Sequence, residues 1–339
     1  MVSCINAASK DSRIKEIHVV RYPINEEALF VFSFEENVTV YNRKEYSSKK
    51  IKDLAQGIDP DVILCSGWID KDYLKICKSL KRSAITVLTM DNHWEGSMKQ
   101  KVLKTLAKIT LHKSFSHVWV PGKPQRDYAI KLGFSDRNIH QGFYVIDTPM
   151  LSNLYKEKKQ KPLFPKVFIC VARYIPVKGL EVLWEAFKKL KKVDDTDWEL
   201  WCVGNGSGFN NRMESDGIHH LGFIQPKDLM EIMNKTGIFV LPSLFEPWGV
   251  AVQEFASAGF PLLLSNKVGS AGDYLENEKN GFLFKANDVE DLYQVLRKVI
   301  NLSEDEYHKM SNRSNELASN FTITNWVDTL VQIGSKGTV

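Results

Sequence analysis

The chain alternates short apolar runs with segments of helical periodicity. Apolar runs bounded by turn-forming residues predict strands, and apolar positions that recur at helical spacing predict helices. Strands that alternate with helices are typical of a parallel sheet covered by helices. The predicted strands are 16–22, 38–41, 61–65, 85–89, 117–120, 141–146, 167–172, 199–204, 219–221, 238–242 and 261–265. The predicted helices are 71–81, 96–112, 123–132, 179–191, 227–235, 250–258, 269–275, 288–301 and 322–333.

The same plan occurs in both halves of the 339 residues, which suits two domains of ordinary size. We therefore predict an α/β protein with two doubly wound, Rossmann-like domains that face an interdomain cleft. The lysine-rich stretch 153–166, which also holds Pro162 and Pro165, has the composition of a linker. The predicted domains are 1–155 and 156–318, and we expect the helix in 319–339 to return to the first domain.

The composition is that of a soluble globular protein, with 43% hydrophobic and 25% charged residues. No apolar run approaches the ~20 residues needed to cross a bilayer, and residues 1–13 lack the apolar core of a signal peptide. We therefore expect a cytoplasmic protein. The five cysteines show neither metal-site nor disulfide spacing, and Cys65, Cys170 and Cys202 lie in apolar runs typical of a core.

The charge is distributed unevenly between the two halves. Residues 1–160 contain 26 Lys and Arg against 18 Asp and Glu, a net charge of +8, and the remaining residues carry −4. This asymmetry predicts that the first half faces a polyanion, either a membrane surface or nucleic acid. Nucleic acid fits poorly, because the sequence contains no recognition motif for it.

The densest cluster of candidate functional residues lies at 238–284. A buried strand is followed by a loop with Glu246, and a helix begins near Gly249 and carries Glu254. A helix N-terminus binds phosphate well, and a carboxylate accepts hydrogen bonds from adjacent sugar hydroxyls. The spacing by itself equally fits a helix-capping Glu246 and a solvated Glu254.

This segment resembles the retaining glycosyltransferases of the GT-B fold, family 4, whose hallmark is two glutamates separated by seven residues. Glu246 and Glu254 have that spacing, and Phe-Glu-Pro-Trp-Gly-Val surrounds the first of them. The resemblance covers 167–300. It implies that Glu246 contacts the donor sugar and Glu254 the ribose, with the backbone of Trp248, Gly249 and Val250 facing the sugar and diphosphate.

Upstream, Arg173 and Lys178 lie between a predicted strand and a predicted helix. Two cations there can neutralise the charge of a departing nucleoside diphosphate, although surface cations near a helix start are commonly only solvated. The pair also matches the Arg…Lys-Gly signature of the family.

Two further segments of the second half are candidates for donor binding. The turn that contains Gly204 and Gly206 lets a backbone approach a phosphate, and it equally fits a plain tight turn. It is not a dinucleotide fingerprint, because Phe209 occupies the position of the third glycine. The resemblance implies that Phe223 and Ile224 contact the nucleotide base through the main chain.

The first half contains fewer candidates. The resemblance implies a histidine near the transferred sugar on the loop that contains Asp91 and His93, and either residue fits this role. Residues 1–13 predict neither the first strand nor the glycine-rich loop with which these enzymes usually begin. The first strand is therefore predicted to be shortened or absent.

Residues 96–113 predict a basic amphipathic helix. Its apolar face holds Met98, Val102, Leu106 and Ile109, and its basic residues are Lys99, Lys101, Lys104 and Lys108. Such a helix can lie on an anionic membrane surface, but an apolar stripe in the domain core produces the same pattern.

The resemblance implies retaining transfer of a sugar from a nucleotide-diphosphate sugar, with a UDP-sugar as our guess, to a saccharide or lipid-linked acceptor. Surface polysaccharide, lipopolysaccharide or glycolipid synthesis at the inner face of a membrane is the expected setting. We expect no cofactor and no metal, because no Asp-x-Asp motif ends a predicted strand. The alternatives are a catalytically silent sugar-nucleotide-binding or assembly subunit, a glycosidase that uses both glutamates, and a nicotinamide oxidoreductase.

Overall fold

The computed structural model of the protein describes residues 1–23, 33–146, 148–161 and 163–335. These residues form two compact units, the first of 1–23, 33–146 and 321–335 and the second of 148–161 and 163–320. Every strand pair in them is parallel. The predicted α/β class is confirmed. Among the described residues, no helix has the length and hydrophobicity to span a membrane.

The first unit contains two parallel sheets. A two-stranded sheet pairs β1 (Ile17–Arg21) with β2 (Val38–Asn42), and a four-stranded sheet has the order β3 (Val62–Ser66), β4 (Ile85–Thr89), β5 (His117–Trp119) and β6 (Ile139–His140). The helices are α1 (Val2–Ser9), α2 (Ser48–Ile58), α3 (Lys71–Leu80), α4 (Met98–Leu106), α5 (Leu111–Ser114), α6 (Lys123–Lys131) and the C-terminal α14 (Ile323–Ser335).

The strand predicted at 141–146 is wrong, because β6 ends at His140. The amides of Gly142 and Phe143 still donate to the carbonyls of Pro121 and Val120, but no strand continues. The apolar side chains of this segment, such as Phe143, are buried beside Trp119 and Trp326 rather than paired in the sheet. The Trp326 indole donates to the Phe143 carbonyl at 2.9 Å, and the Trp119 indole donates to the Gln141 carbonyl at 3.0 Å. Tertiary packing therefore accounts for the apolar pattern without a strand.

The helix predicted at 96–112 is interrupted. α4 ends at Leu106, a 3₁₀ turn covers Ala107–Ile109, and α5 begins at Leu111. The Thr110 hydroxyl donates to the Leu106 carbonyl at 2.8 Å, a local side-chain bond of the kind that competes with regular helix.

The second unit is a six-stranded parallel sheet with helices around it. Its strands are β7 (Val167–Val171), β8 (Glu199–Val203), β9 (Ile218–Gly222), β10 (Ile238–Leu241), β11 (Leu262–Ser265) and β12 (Gly281–Phe284), in the order β12-β11-β10-β7-β8-β9. Its helices are α7 (Thr148–Lys159), α8 (Leu180–Asp194), α9 (Pro226–Asn234), α10 (Val250–Ser257), α11 (Ala271–Tyr274), α12 (Val289–Ile300) and α13 (Glu304–Ala318). This strand order is that of a doubly wound Rossmann fold.

The centre of this sheet is fully buried. Every residue of β10 and β11 is buried, and the long helices α8 and α12 bury their apolar faces against the sheet. Continuous burial on both faces is typical of a parallel sheet. Cys170 on β7 and Cys202 on β8 are buried partners across two strands, and Cys65 is buried in the first unit. The prediction that these cysteines are core residues is confirmed.

The linker predicted at 153–166 is largely wrong, because residues up to Lys159 belong to α7. Its lysines mark a helix, and one of them, Lys158, is buried. The Lys158 ammonium donates to the carbonyls of Met233 and Thr236 near the end of α9 and lies 4.0 Å from the centroid of the Phe260 ring. Pro162 lies outside the described residues.

Burial of Lys158 provides a test of this packing, because it lowers the pKa of the ammonium to about 7 from the ordinary 10.5. Between these two values the unfolded chain binds more protons than the folded chain, so the free energy of unfolding rises with pH. We expect wild type to gain stability relative to Lys158→Met as the pH rises above 7. Its free energy of unfolding should increase relative to that of the variant by at most about 1.4 kcal/mol per pH unit. Urea unfolding at several pH values measures it.

Lys159→Met, at an exposed position of the same helix, is the matched control. A Lys158→Met difference that stays constant from pH 7 to pH 10, or that tracks the control, would contradict the assignment.

Candidate active site

The loops that follow β7 and β10 carry five of the predicted site residues: Arg173, Lys178, Glu246, Trp248 and Gly249. β7 lies at the point where the winding of the sheet reverses, with β8 on one side and β10 on the other. Ile238 and Phe239 of β10 pair with Phe168 and Ile169 of β7, so both strands end at the same edge. A crevice outside the carboxyl ends of such strands is the usual ligand site of a doubly wound sheet.

The loop after β7 is held in a compact turn. A 3₁₀ turn at Pro176–Lys178 leads into Gly179, which adopts a left-handed conformation with φ of 64° and precedes α8. A Cβ atom at Gly179 would overlap the carbonyl oxygen of Pro242, at the end of β10. The Leu244 amide also donates to the Val177 carbonyl at 2.8 Å, so the two loops pack backbone to backbone.

This packing brings Lys178 and Glu246 into an ion pair. The Lys178 ammonium donates to the Glu246 carboxylate, and both side chains are largely buried. Arg173, at the start of the same loop, is exposed and its side chain has no bonded partner among the described residues. The structure therefore joins Lys178 to Glu246 and leaves Arg173 at the rim.

Residues absent from the sequence prediction hold Glu246 in place. The buried Ser243 hydroxyl donates to the Glu246 carboxylate at 3.3 Å, and the Ser265 hydroxyl donates to the Ser243 carbonyl at 2.5 Å. The Glu246 amide donates to the Lys267 carbonyl at 3.0 Å, and the Gly269 amide donates to the Glu246 carbonyl at 2.9 Å. Serines near strand ends are too common for this role to be predicted from sequence alone.

Two helix N-termini at this edge have no side-chain cap. α8 follows Gly179, and α10 follows Gly249, whose φ of 93° is also left-handed. Glu246 therefore does not cap α10. The first amides of a helix lack intrahelical partners and carry partial positive charge, which favours an anion.

The segment before α10 is anchored by the loop after β11. Trp248 is buried against Tyr274, and its carbonyl accepts a hydrogen bond of 3.0 Å from the Ser270 amide. The side chain of Val250, the first residue of α10, is exposed. These contacts fix the backbone that we predicted to face the sugar and diphosphate.

Glu254 lies in the second turn of α10. Its side chain is half-buried, and burial raises the pKa of its carboxyl above the ordinary value. It is therefore not the freely solvated residue that the spacing also allowed.

The glycine turn after β8 serves the protein's own backbone. Cβ atoms at Gly204 and Gly206 would overlap the backbone of Ala172 and Tyr174 in the loop after β7. The Gly204 amide donates to the Gly222 carbonyl at 2.7 Å, and the Tyr174 amide donates to the Asn205 carbonyl at 2.9 Å. These glycines are thus needed for close backbone approach, which positions the loop that carries Arg173.

The remaining candidates lie at other strand ends. Phe223 and Ile224 directly follow β9 at the same edge of the second sheet, and Phe223 is exposed. Asp91 and His93 belong to the first unit, in the loop after β4. The Tyr144 hydroxyl donates to the Asp91 carboxylate at 3.2 Å, and the pKa of Tyr144 is raised by its burial and by this charge.

Comparison with known families identifies the second unit. Residues 152–317 match the model of the family described as glycosyl transferases group 1, and this range contains β7–β12 and every predicted donor-site residue. This segment is a glycosyl transferases group 1 domain. The family resemblance inferred from Glu246 and Glu254 is confirmed at this level.

Two curated proteins illustrate the similarity of the group 1 domain to its relatives. A glycosyltransferase of Haemophilus influenzae is 27% identical over 51% of this chain and 50% of its own length. The N,N'-diacetylbacillosaminyl-diphospho-undecaprenol alpha-1,3-N-acetylgalactosaminyltransferase of Campylobacter jejuni is 24% identical over 67% of this chain and 61% of its own length. The chain thus spans about half of the first relative and less than two thirds of the second.

Solved structures extend the likeness beyond the group 1 domain. The crystal structure of Anabaena Alr3699/HepE in complex with UDP and glucose superimposes with a TM-score of 0.67, at 16% identity, over 88% of this chain and 86% of that one. At this identity the likeness establishes the fold, which is GT-B with two Rossmann-like domains, as predicted.

The contact between the two loops can be tested at Gly179. We expect Gly179→Ala to lower the free energy of unfolding by about 2–4 kcal/mol, because the Cβ would meet the Pro242 carbonyl and φ is left-handed. Urea unfolding of the purified variant measures this loss. Gly272→Ala in α11 is the control, since a Cβ there meets nothing within 4 Å. Equal stability of the two variants would contradict the described loop packing.

Proposed function

We propose that this protein is a retaining glycosyltransferase that moves a sugar from a nucleotide-diphosphate sugar to a hydroxyl acceptor. The observation that carries the proposal is the buried pair of Lys178 and Glu246 at the centre of a group 1 domain, beside two uncapped helix N-termini. A buried charged pair at the ligand edge of a doubly wound sheet fits substrate binding better than stability, because its desolvation is costly.

In this proposal the donor spans the switch point of the sheet. Glu246 accepts hydrogen bonds from the sugar hydroxyls, and Glu254 binds the ribose. The amides at Gly249 and Val250, together with Lys178 and Arg173, bind the diphosphate. The main chain at Phe223 and Ile224 contacts the base.

The reaction exchanges one bond at the anomeric carbon for another. The bond to the donor phosphate oxygen breaks, and a bond to the acceptor oxygen forms on the same face of the sugar. The acceptor proton passes to the leaving phosphate. Lys178, Arg173 and the helix N-termini stabilise the negative charge that develops on this group, so no divalent metal ion is required in the proposal. Asp91 or His93 is kept as the candidate for the contact to the transferred sugar that the family resemblance implies.

The names of the relatives suggest the donor and the acceptor. The Anabaena structure contains UDP and glucose, and the Campylobacter relative is named for transfer to a diphospho-undecaprenol saccharide. A UDP-sugar donor and a lipid-linked saccharide acceptor are therefore our first candidates. Polysaccharide or glycolipid synthesis is the setting that we propose from them.

The central test is Glu246→Gln, which keeps the shape of the side chain and removes its charge. We expect turnover of the preferred nucleotide sugar to fall at least about 100-fold, because the sugar loses its charged hydrogen-bond acceptor. A prior thermal-shift screen of UDP-, GDP- and ADP-sugars selects the donor. Release of the nucleoside diphosphate, with and without acceptor, measures turnover.

Glu290→Gln is the matched control, because Glu290 also pairs with a lysine, Lys189, but on the exposed surface of the same unit. We expect this variant to turn over like wild type. Full activity of Glu246→Gln would refute the proposed role. Binding of the nucleotide sugar to wild type without any turnover would instead identify a sugar-nucleotide-binding subunit.

Metal removal tests the role given to the cationic side chains. We expect turnover to persist after treatment with EDTA, and Lys178→Met to lower it at least about 10-fold, because a lysine supplies the charge that a metal would otherwise provide. Lys189→Met is the matched control. Loss of turnover with EDTA and its recovery with Mg²⁺ would contradict this part of the proposal.

A further inference from the structure

Helix α4 exposes its apolar residues instead of burying them. No residue of Met98–Leu106 is buried. The exposed fractions along the stripe are 72% for Met98, 54% for Val102, 41% for Leu106 and 59% for Ile109. An apolar stripe in the domain core is therefore the wrong interpretation of this sequence pattern.

The opposite side of this segment attaches it to the first unit. Ala107 is fully buried and Leu103 packs against the same core cluster. On a helical projection Ala107 lies roughly opposite the middle of the stripe, and Leu103 lies about a quarter-turn from it. The N-terminus is fixed as well, because Ser97 and Gln100 form a capping box. The stripe is thus presented outward by an anchored helix.

The surroundings of the stripe are strongly basic. Residues 96–126 contain seven Lys and Arg and no Asp or Glu. Lys99 lies on one side of the stripe, and Lys101 and Lys108 lie on the other. These three lysines are exposed, and none of them forms an ion pair within the described parts of the chain.

A further exposed apolar residue, outside this stripe, lies at the carboxyl end of the four-stranded sheet. Ile69, in the loop after β3, is 91% exposed. β3 and β4 are adjacent and parallel, and the loop after β4 leads to α4. Ile69 and the start of α4 therefore both follow the carboxyl ends of neighbouring strands.

We propose that the α4 surface, formed by Met98, Val102, Leu106 and Ile109 with Lys99, Lys101 and Lys108, binds an anionic lipid bilayer. A single row of apolar side chains between lysines matches the boundary between acyl chains and headgroups, where the apolar residues insert and the ammonium groups contact phosphate. Residues 98–109 carry four lysines and no acidic residue, which favours a continuous anionic surface over a protein partner. This proposal stands independently of the proposed sugar transfer.

Vesicle co-sedimentation of the full chain tests the proposal. The probes are phosphatidylcholine vesicles and vesicles that also contain 30 mol% phosphatidylglycerol. We expect at least about ten-fold more protein to bind the anionic vesicles, and the binding to weaken in high salt. We expect loss of this binding in the triple variant Met98→Ser, Val102→Ser, Ile109→Ser and in the triple variant Lys99→Glu, Lys101→Glu, Lys108→Glu.

Each triple variant has a control in the second unit. Leu163→Ser with Val193→Ser removes exposed apolar side chains, and Lys192→Glu with Lys227→Glu and Lys235→Glu reverses exposed lysines. We expect both controls to bind like wild type. Equal binding to the two vesicle types, or binding by the α4 variants at the wild-type level, would overturn the proposal. Light scattering that shows wild type to self-associate, and the α4 variants to have lost this self-association, would also overturn the proposal.

The same variants separate this proposal from the proposed function. We expect the α4 variants to hydrolyse a nucleotide sugar in solution like wild type, since α4 contains none of the donor-site residues. Loss of vesicle binding with intact donor turnover supports the α4 surface alone. Vesicle binding by a protein without donor turnover would support this surface while the proposed sugar transfer fails.

Discussion

The pairing of β7 with β10 constrains the positions of the loops that follow these strands, at the carboxyl-terminal edge of the six-stranded sheet. These strands are adjacent in the sheet although 66 residues separate the end of β7 from the start of β10. Because they are parallel, their following loops leave the sheet side by side. The Gly179 backbone then lies against the Pro242 carbonyl, a contact that no residue with a Cβ would allow. The lysine before this glycine and the glutamate four residues after this proline are thereby brought together.

Burial of the resulting ion pair costs the folded domain desolvation free energy. Both side chains are largely buried, so each charge loses solvation that the partner only partly restores. The surrounding bonds from Ser243 and the loop after β11 fix the carboxylate before any ligand arrives. Such preorganisation lowers the cost of ordering the site when charge develops nearby. The glycine N-caps of the two helices that begin here also leave the first amides of both helices without a side-chain cap, as the proposed anion binding requires.

The alternation of strands and helices was predictable from local pattern, and so was the spacing of Glu246 and Glu254. Buried parallel strands have continuous apolar runs, and these remain visible in a single sequence. The pairing of Lys178 with Glu246 depends on strand order, which local pattern does not specify. The role of the serines around Glu246 is equally invisible in the sequence, since it depends on the end of β11 lying against the loop after β10.

The errors in the fold have physical causes of two kinds. The lysines of α7 have the composition of a linker, but one of them is buried against helix carbonyls. The apolar segment 141–146 has the pattern of a strand, but its carbonyls accept from two tryptophans instead of a neighbouring strand. The predicted helices do not include α13, although the sequence contains a signal for its start. Ser303 and Glu306, three residues apart, form a capping box.

Charge is used in two physically different ways in this chain. Lys178 is buried and matched by one carboxylate, so its effect is short-ranged and little screened by salt. The lysines around α4 are exposed and form no ion pair with the residues that the structure describes. They therefore act together over about a Debye length, ~8 Å at physiological salt, and their attraction for an anion weakens as salt rises. A single buried cation suits recognition of one defined anionic group, whereas a row of exposed cations suits a diffuse anionic surface. We therefore assign the excess positive charge in the first half of the sequence to the proposed α4 surface. The balanced pair of Lys178 and Glu246 in the second half belongs to the candidate active site.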